Sequence, residues 1–243
     1  TDGYPSTMDD NDFLQSLAKG GIQVGELAKL YYPGGRDVKS LDYELSIEET
    51  NEELEKENAI IYEAAIRHEH CFIRVDVLEK VGKRFNLIEV KSKSWSPDDE
   101  FYSERNGAFK KSLQKYLYDV AFQYWVMKNA FPDYRIEPYL MLIDKSQEAT
   151  IDGLHQHFRV INNDGRFDIE LKEGTQSKDL GEQILRPVHV AEEVQLILEG
   201  KGRDPKSELE AQGFSHWIDG LSELLQDKDK YRPNVGEKCK SCE

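Results

Sequence analysis

Three consecutive stretches in the first half of the chain have the short hydrophobic pattern of β-strands. They read AIIYEAAI, CFIRVDVLEK and RFNLIEVKSK, are rich in β-branched and aromatic residues, and are separated by residues that favour turns. The pattern predicts strands over 59–66, 71–80 and 84–93. Adjacent strands of this kind need a helix on at least one face to bury their apolar side chains.

A helix is predicted next, over 112–131, because apolar residues recur there at steps of three and four. The apolar stripe consists of Leu113, Leu117, Val120, Tyr124, Met127 and Phe131. The following segment PYLMLID predicts a buried strand, since Pro138 is tolerated at the start of a strand. The expected fold class is therefore α/β, with a mixed central β-sheet flanked by helices.

Weaker patterns predict the remaining elements. Helical segments broken at Gly20 and Gly21 precede the strands, and a short acidic helix over 46–57 has Ser46 as its N-cap and Glu49 in the capping-box position. Further along, we expect a turn and a strand within 161–171, a helix over 179–200 interrupted at Pro187, and a last helix over 213–228. We interpret 1–243 as a single domain, with a core of about 13–144, an accessory strand and helices over about 145–231, and a cysteine-bearing tail over 232–243.

Composition narrows the class of protein. With 243 residues, of which 38% are hydrophobic, the chain can bury a substantial core. The net charge of -15 argues against broad, non-specific adhesion to nucleic acid, although Arg105, Lys110, Lys111 and Lys115 form a local basic patch. No apolar run approaches the roughly 20 residues that span a bilayer, and the polar start has no signal-peptide core. We therefore expect a cytoplasmic protein without a membrane partner.

The hairpin formed by the second and third predicted strands carries charged side chains where apolar ones would be easier to bury. If a two-residue turn at Gly82 and Lys83 closes this hairpin, Asp76 lies directly opposite Glu89. Side chains two residues apart on a strand share a face, so Glu89 and Lys91 form a facing pair.

Two opposed carboxylates destabilise a sheet unless a positive charge compensates them. A divalent cation bound by both would do so, and oxygen ligands suit Mg²⁺ or Mn²⁺. Lys91 could then steady an attacking water or offset negative charge on a phosphoryl group. The same residues are also typical of a solvated, salt-bridged sheet face, and the pattern alone leaves both interpretations open.

Several motifs in one order resemble the PD-(D/E)xK nuclease superfamily in its RecB-like branch. They are YEAAI, RVDVLEK and LIEVKSKS, followed by a helix with DVAFQYWV, and the match is closest to a bacterial group of predicted RecB-like nucleases, formerly a domain of unknown function. The resemblance covers about 13–144 and the terminal cysteines. The sequence differs from the RecB-like pattern at two places. It has Met127 where a tyrosine is common, and Glu26 and Lys29 where the first helix often has a histidine.

The resemblance implies a restriction-endonuclease-like core with a C-terminal helical extension. In that core Asp76 and Glu89 would bind Mg²⁺ or Mn²⁺, the carbonyl of Val90 would complete the protein ligands, and Lys91 would be catalytic. Gln123 matches the glutamine that RecB-like nucleases carry on the helix after the Glu-x-Lys strand. Glu63 and Glu26 are further candidate acidic groups near the metal, for which a solvated strand end and a helix-surface carboxylate are equally open interpretations.

The implied activity is metal-dependent hydrolysis of phosphodiester bonds, and we expect a DNA exonuclease, with DNA as the partner. A basic group of residues would guide the phosphate backbone, namely Lys93, Arg105, Lys110, Lys111 and Lys115. The alternative is a non-catalytic nucleic-acid-binding or scaffold domain that keeps the nuclease fold within a larger repair or defence protein.

The cysteines give half of a possible cluster site. Cys239 and Cys242 have the Cys-x-x-Cys spacing found in zinc and iron–sulfur sites, while Cys71 lies in a predicted strand. Related nucleases hold a 4Fe-4S cluster with one cysteine before the core and three after it. We therefore expect the chain to be a piece of a longer protein, in which these two cysteines could serve such a cluster.

Overall fold

The computed structural model describes residues 12–103, 105, 107–163, 166–201 and 213–226. The helices are α1 (Asp12–Tyr31), α2 (Tyr43–Leu54), α3 (Lys111–Ala130), α4 (Ala191–Leu198) and α5 (Phe214–Gln226), and the strands are β1 (Arg36–Asp37), β2 (Asn58–His68), β3 (Cys71–Val81), β4 (Arg84–Trp95), β5 (Arg135–Asp144), β6 (Phe158–Asn163), β7 (Arg166–Leu171) and β8 (Leu185–His189).

Six of these strands form one mixed sheet in the order β1-β2-β3-β4-β5-β8. Strands β2, β3 and β4 are consecutive antiparallel neighbours, whereas β5 runs parallel to β4 after the chain has crossed over through α3. Strand β8 closes the sheet as an antiparallel edge, and β6 and β7 form a separate hairpin. The chain is therefore an α/β protein with a mixed six-stranded sheet flanked by helices.

The two faces of the sheet have separate cores. The α3 face, which includes Leu78, Leu87 and Leu140, packs against α3, α4 and α5. The α1 face, which includes Ile88 and Met141, packs against α1 and the hairpin β6–β7. Neighbouring residues on one strand thus point into different cores, as the pleat of a strand requires. Within the described ranges, no helix is long and apolar enough to cross a membrane.

The predicted hairpin and the predicted crossover helix are both confirmed. Strands β3 and β4 pair Val81 with Arg84 and continue in this register to Val77 and Ile88, and Gly82 has the left-handed φ of 56° that a two-residue turn favours. Helix α3 begins and ends one residue earlier than predicted, and its whole apolar stripe belongs to or packs against the core of the α3 face.

The predicted break in the first helix is wrong. Helix α1 continues through Gly20 and Gly21, because glycine in a helix interior lowers stability by about 1 kcal/mol without preventing the helix. Burial of Leu27 and Ala28 against the α1 face holds the helix to the sheet.

The predicted N-cap of the acidic helix is also wrong. Helix α2 begins at Tyr43, and the N-cap is Asp42, whose carboxylate accepts the N–H of Leu45 at 3.0 Å. Ser46 is buried inside the helix, where its hydroxyl donates to the carbonyl of Tyr43 at 2.9 Å.

The segment around Pro187 forms a strand, not the start of a helix. Pro187 pairs with Met141 on the edge strand β8, a position where the missing N–H of proline is tolerated. Buried Leu185 anchors this strand, and the helix of the region begins only at Ala191. Strand β8 and helices α4 and α5 thus belong to the same sheet and cores as the first 144 residues.

The close approach of Gly35 to Tyr62 gives a stability prediction. A Cβ on Gly35 would lie 2.4 Å from the Tyr62 ring, whose hydroxyl also accepts the Gly35 N–H at 3.2 Å. We expect Gly35→Ala to lower the free energy of unfolding by about 1–3 kcal/mol. Gly25→Ala is the matched control, because its Cβ would meet nothing within 4 Å in α1, and it should raise that free energy by about 0.5–1 kcal/mol. Equal urea midpoints for the two variants would contradict this account.

Candidate functional site

The ladder of backbone hydrogen bonds is interrupted around the middle of the sheet. Pairing between β3 and β4 ends at Val77 and Ile88, and pairing between β4 and β5 shifts register between Val90 and Ser94. Lys91 lies in this shifted stretch. Such bulges redirect side chains and often occur beside functional sites.

The Asp76 side chain replaces a backbone hydrogen-bond acceptor at the point where β3 stops pairing with β4. Its carboxylate accepts the backbone N–H of Val90 at 2.7 Å, a bond that a strand carbonyl would otherwise accept. This bond turns the carboxylate towards β4, so that Asp76 comes close enough to Glu89 for its charge to raise the pKa of Glu89, after burial as the larger cause. The proximity predicted from the hairpin register is therefore present in the structure.

Glu63 lies across from Asp76 on β2 in an unusual backbone conformation. Its φ of 55° is left-handed, which is uncommon for a residue other than glycine and is often found at functional sites. The side-chain alternation of β2 resets here, since Ile61 and Ala64 both face the α3 core although they are three residues apart. The Glu63 carboxylate accepts a hydrogen bond from Arg74 at 3.4 Å, and its charge acts on Asp76.

Glu89 projects from the α3 face and is almost completely buried, with 4% of its surface exposed. One carboxylate oxygen accepts from Gln123 Nε2 at 2.6 Å, and the other accepts from Lys91 Nζ. The Lys91 ammonium also contacts the Asp119 carboxylate at 2.8 Å. The structure thus brings Glu89, Lys91 and Gln123 together as predicted, and adds Asp119.

Gln123 has one buried atom without a partner. Its Oε1 makes no hydrogen bond within the described part of the chain, although most buried polar atoms in proteins are paired. The atom belongs to the amide that donates to Glu89, so an unmatched acceptor lies directly beside the acidic pair. A donor such as a water bound to a cation would satisfy it.

The two carboxyl groups are poorly suited to carrying negative charge as they stand. Burial raises the pKa of Asp76 to about 6, and the charge of Glu63 adds to this shift. Burial also raises the pKa of Glu89 well above its usual value, with the charge of Asp76 as the next cause. Burial alone would lower the pKa of Lys91, but the carboxylates of Glu89 and Asp119 outweigh it and raise that pKa, so Lys91 carries its proton at neutral pH.

The donor set fits a hard divalent cation. Asp76 and Glu89 offer two carboxylates whose mutual repulsion a cation would remove, and the unpaired Gln123 Oε1 lies beside them. In the described ranges, no group of three or more His, Cys, Asp or Glu side chains is placed to hold a metal. A two-carboxylate site matches Mg²⁺, which keeps several of its waters and uses one or two carboxylates.

Glu26 is not brought to this site. It lies on α1, which packs against the α1 face, whereas Glu89 and Lys91 project from the opposite face. Glu26 pairs with Lys29 at 2.6 Å, and Lys29 also contacts Asp37 at 3.2 Å. The sequence showed that Glu26 is on a helix, but which face of the sheet the helix covers depends on the tertiary fold.

The predicted basic residues lie mainly around the start of α3. Lys110 is the N-cap position, Lys111 is the first helical residue, and Lys115 follows one turn later. Lys93 is partly exposed on β4 just beyond Lys91, and Arg105 is exposed in the connection that leads to α3. Cys239 and Cys242 lie outside the described residues.

The sequence assigns Asp119 no role of its own. It predicts only that Lys115, Asp119 and Gln123, spaced four apart, share one helical stripe that faces either the site or solvent. In the structure this stripe faces the Glu-x-Lys strand, with Asp119 on Lys91 and Gln123 on Glu89.

Comparison with known proteins identifies no relative. No protein-family model, curated protein or solved structure matches the chain. The function proposed below therefore rests on the side chains of the site and on their geometry.

The raised pKa of Asp76 predicts a stabilising substitution. In EDTA, we expect Asp76→Asn to raise the free energy of unfolding at pH 8 by about 1–3 kcal/mol, because it removes a buried charge while its amide oxygen can still accept the Val90 N–H. The pKa of Asp76 is about 6 in the folded protein and the reference value is 3.8. Ionisation of Asp76 therefore lowers the free energy of unfolding between about pH 4 and pH 6, and the loss is complete above pH 6. The advantage of the variant should shrink as the pH falls below 6 and vanish near pH 4.

Urea denaturation at several pH values measures this difference. The exposed Asp98→Asn serves as the control and should leave stability nearly unchanged over the same range. A metal-free Asp76→Asn protein that is less stable than the parent at pH 8 would refute the interpretation.

Proposed function

We propose that the chain is a Mg²⁺- or Mn²⁺-dependent DNase of the RecB-like type, acting as an exonuclease. The observation that carries this proposal is the pair of carboxylates formed by the half-buried Asp76 and the buried Glu89, with the Lys91 ammonium held on the same sheet face. A charged sheet face without a function would leave these carboxylates in solvent, where neither repulsion nor burial would raise their pKa values.

The order of elements supports a restriction-endonuclease-like core. Helix α1 precedes the antiparallel strands β2, β3 and β4, and α3 then leads to β5, which lies parallel to β4. The acidic pair and the lysine lie on the two central strands of this unit, and α3 covers them. The motifs that resemble RecB-like nucleases thus converge on one place in the fold.

Each side chain of the site has a definite role in this proposal. Asp76, Glu89 and the carbonyl of Val90 would hold the cation, which when bound would activate a water and polarise a phosphoryl oxygen. Lys91 offsets negative charge that develops on the phosphoryl group, and Asp119 holds its ammonium in position. Gln123 orients Glu89 through its amide, and Glu63 adds negative charge beside Asp76.

The basic residues around the start of α3 would bind the DNA backbone. Lys110 and Lys111 lie at the positive end of the α3 dipole, in a first turn without acidic residues, and Lys115 follows one turn later. This local charge supplies phosphate contacts on a chain with a net charge of -15. Lys93 on β4 and Arg105 in the connection before α3 would make further phosphate contacts.

Cleavage of labelled DNA tests the proposal directly. In Mg²⁺ or Mn²⁺, the parent should degrade end-labelled linear DNA and spare closed circles, while Lys91→Ala should be slower by about 100-fold or more. Lys56→Ala is the matched control, since Lys56 is an exposed lysine in the turn between α2 and β2, and it should keep the parental rate. Cleavage of circles at the same rate would exclude an exonuclease.

Calorimetry with Mn²⁺ tests the metal site separately from catalysis. The parent should bind Mn²⁺, Asp76→Ala should lose that binding, and Glu26→Ala should retain it because Glu26 faces the other core. Equal binding by all three proteins would refute the assignment of Asp76. Binding without any cleavage would favour the alternative, a nucleic-acid-binding or scaffold domain that keeps the nuclease fold.

A further inference from the structure

A groove of about 500 Å³ runs between α3 and α5 beside the candidate site. Lys91 and Lys115 line it together with the aromatic side chains Tyr116 and Phe122 of α3 and Trp217 of α5. Its volume is within the range of sites that bind small molecules. Lys91, which we assign to catalysis, therefore lies at the wall of a groove lined by aromatic side chains.

The aromatic rings of the groove keep part of their surface exposed. Tyr116, Phe122 and Trp217 are all half-buried, although each belongs to a helix that packs into the core of the α3 face. Trp217 contacts Tyr118 edge-on, with 6.0 Å between the ring centroids, and this contact holds the two helices together at the groove. Large flat rings with exposed surface between two helices are suited to stacking a planar group.

Positive charge lies directly against one of these rings. The Nζ atoms of Lys115 and Lys91 are 5.0 and 5.8 Å from the centroid of Tyr116. A planar group stacked in the groove would thus lie next to two ammonium groups. An anion attached to it would meet Lys115 and would compete for Lys91 with Asp119, whose carboxylate also lines the groove. A nucleotide has this combination, because a flat base is attached to a phosphate.

Only an unpaired base can reach such rings. In a duplex each base is stacked between its neighbours, so a protein must take it out of the stack before an aromatic side chain can contact its face. Proteins that bind single strands combine basic residues with aromatic stacking in this way.

We propose that the groove between α3 and α5 stacks an unpaired base of a single DNA strand whose phosphate lies at Lys91. This inference rests on the proposed function, since it takes Lys91 as the residue at the scissile phosphate. It makes Tyr116 and Trp217 binding residues and gives the enzyme a requirement for an unpaired nucleotide at the site.

The test compares a normal strand with one that has no bases. Fluorescence anisotropy measures the binding of labelled oligothymidylate and of a strand of equal length with abasic residues, in Ca²⁺ and again in EDTA. The parent should bind oligothymidylate about tenfold more tightly than the abasic strand, as expected for loss of base stacking. Trp217→Leu and Tyr116→Leu should lose this preference and keep the parental affinity for the abasic strand.

The controls separate stacking from a change in folding. Tyr43→Leu removes an exposed aromatic side chain on α2 and should retain the full preference. Thermal melting checks that the groove variants are folded. Because Tyr116 is on α3 and Trp217 is on α5, the same result from both variants would not come from local disruption of one helix. If a groove variant loses affinity for oligothymidylate and for the abasic strand equally, the substituted residue has a structural role, and that result would overturn the proposal.

Other outcomes separate this inference from the proposed function. If the parent cleaves DNA in a Lys91-dependent way but binds both strands equally, the stacking proposal fails and the nuclease proposal stands. If it neither cleaves DNA nor binds either strand, both fail. Equal binding of both strands together with a change of oligomeric state in Trp217→Leu would identify the groove as a contact between copies of the chain.

Discussion

The close approach of the half-buried Asp76 to the buried Glu89 is the constraint around which the centre of this protein is arranged. Asp76 lies next to the last paired residue of β3, where the register of the hairpin brings it to Glu89, and its carboxylate accepts the N–H of Val90 that the ladder leaves free. Glu89 needs donors in a buried position, and it receives them from Lys91 and Gln123. Helix α3, which packs against the sheet through its apolar stripe, supplies both Gln123 and the Asp119 that balances Lys91.

The placement of Asp76 and Glu89 beside each other lowers the stability of the folded protein when both are ionised. Burial raises the pKa values of Asp76 and Glu89, and neighbouring carboxylates raise them further, while the one lysine between Glu89 and Asp119 only partly offsets these effects. A fold under selection for stability alone would place apolar residues there, since buried charges that are not fully compensated destabilise the folded state. The left-handed φ of Glu63 is a second local strain at the same place. Strain and repulsion concentrated at one site are more easily explained by a bound cation than by architecture.

Local rules predicted the parts of the site that depend on neighbouring residues in the chain. The turn at Gly82 sets the β3–β4 register, and four-residue spacing places Asp119 and Gln123 on one stripe of α3. The parts that failed depend on tertiary contacts. The side of the sheet covered by α1 removed Glu26 from the site, and an available sheet edge made a strand of the segment around Pro187. The bulge at Lys91 has no local signal, because it is a change of register between β4 and β5, two strands that are far apart in the sequence.

The groove shows why the chain beyond residue 144 matters to the site. All the residues that we assign to metal binding and catalysis precede that point, yet the wall that Trp217 forms comes from α5. Helix α5 is held against α3 by Phe214 and Ile218, which are buried in the same core as Leu117 and Val120. Loss of that packing would open the groove without touching Asp76, Glu89 or Lys91. Under the proposed function, substrate contact could therefore vary through α5 without a change in the residues assigned to metal binding and catalysis.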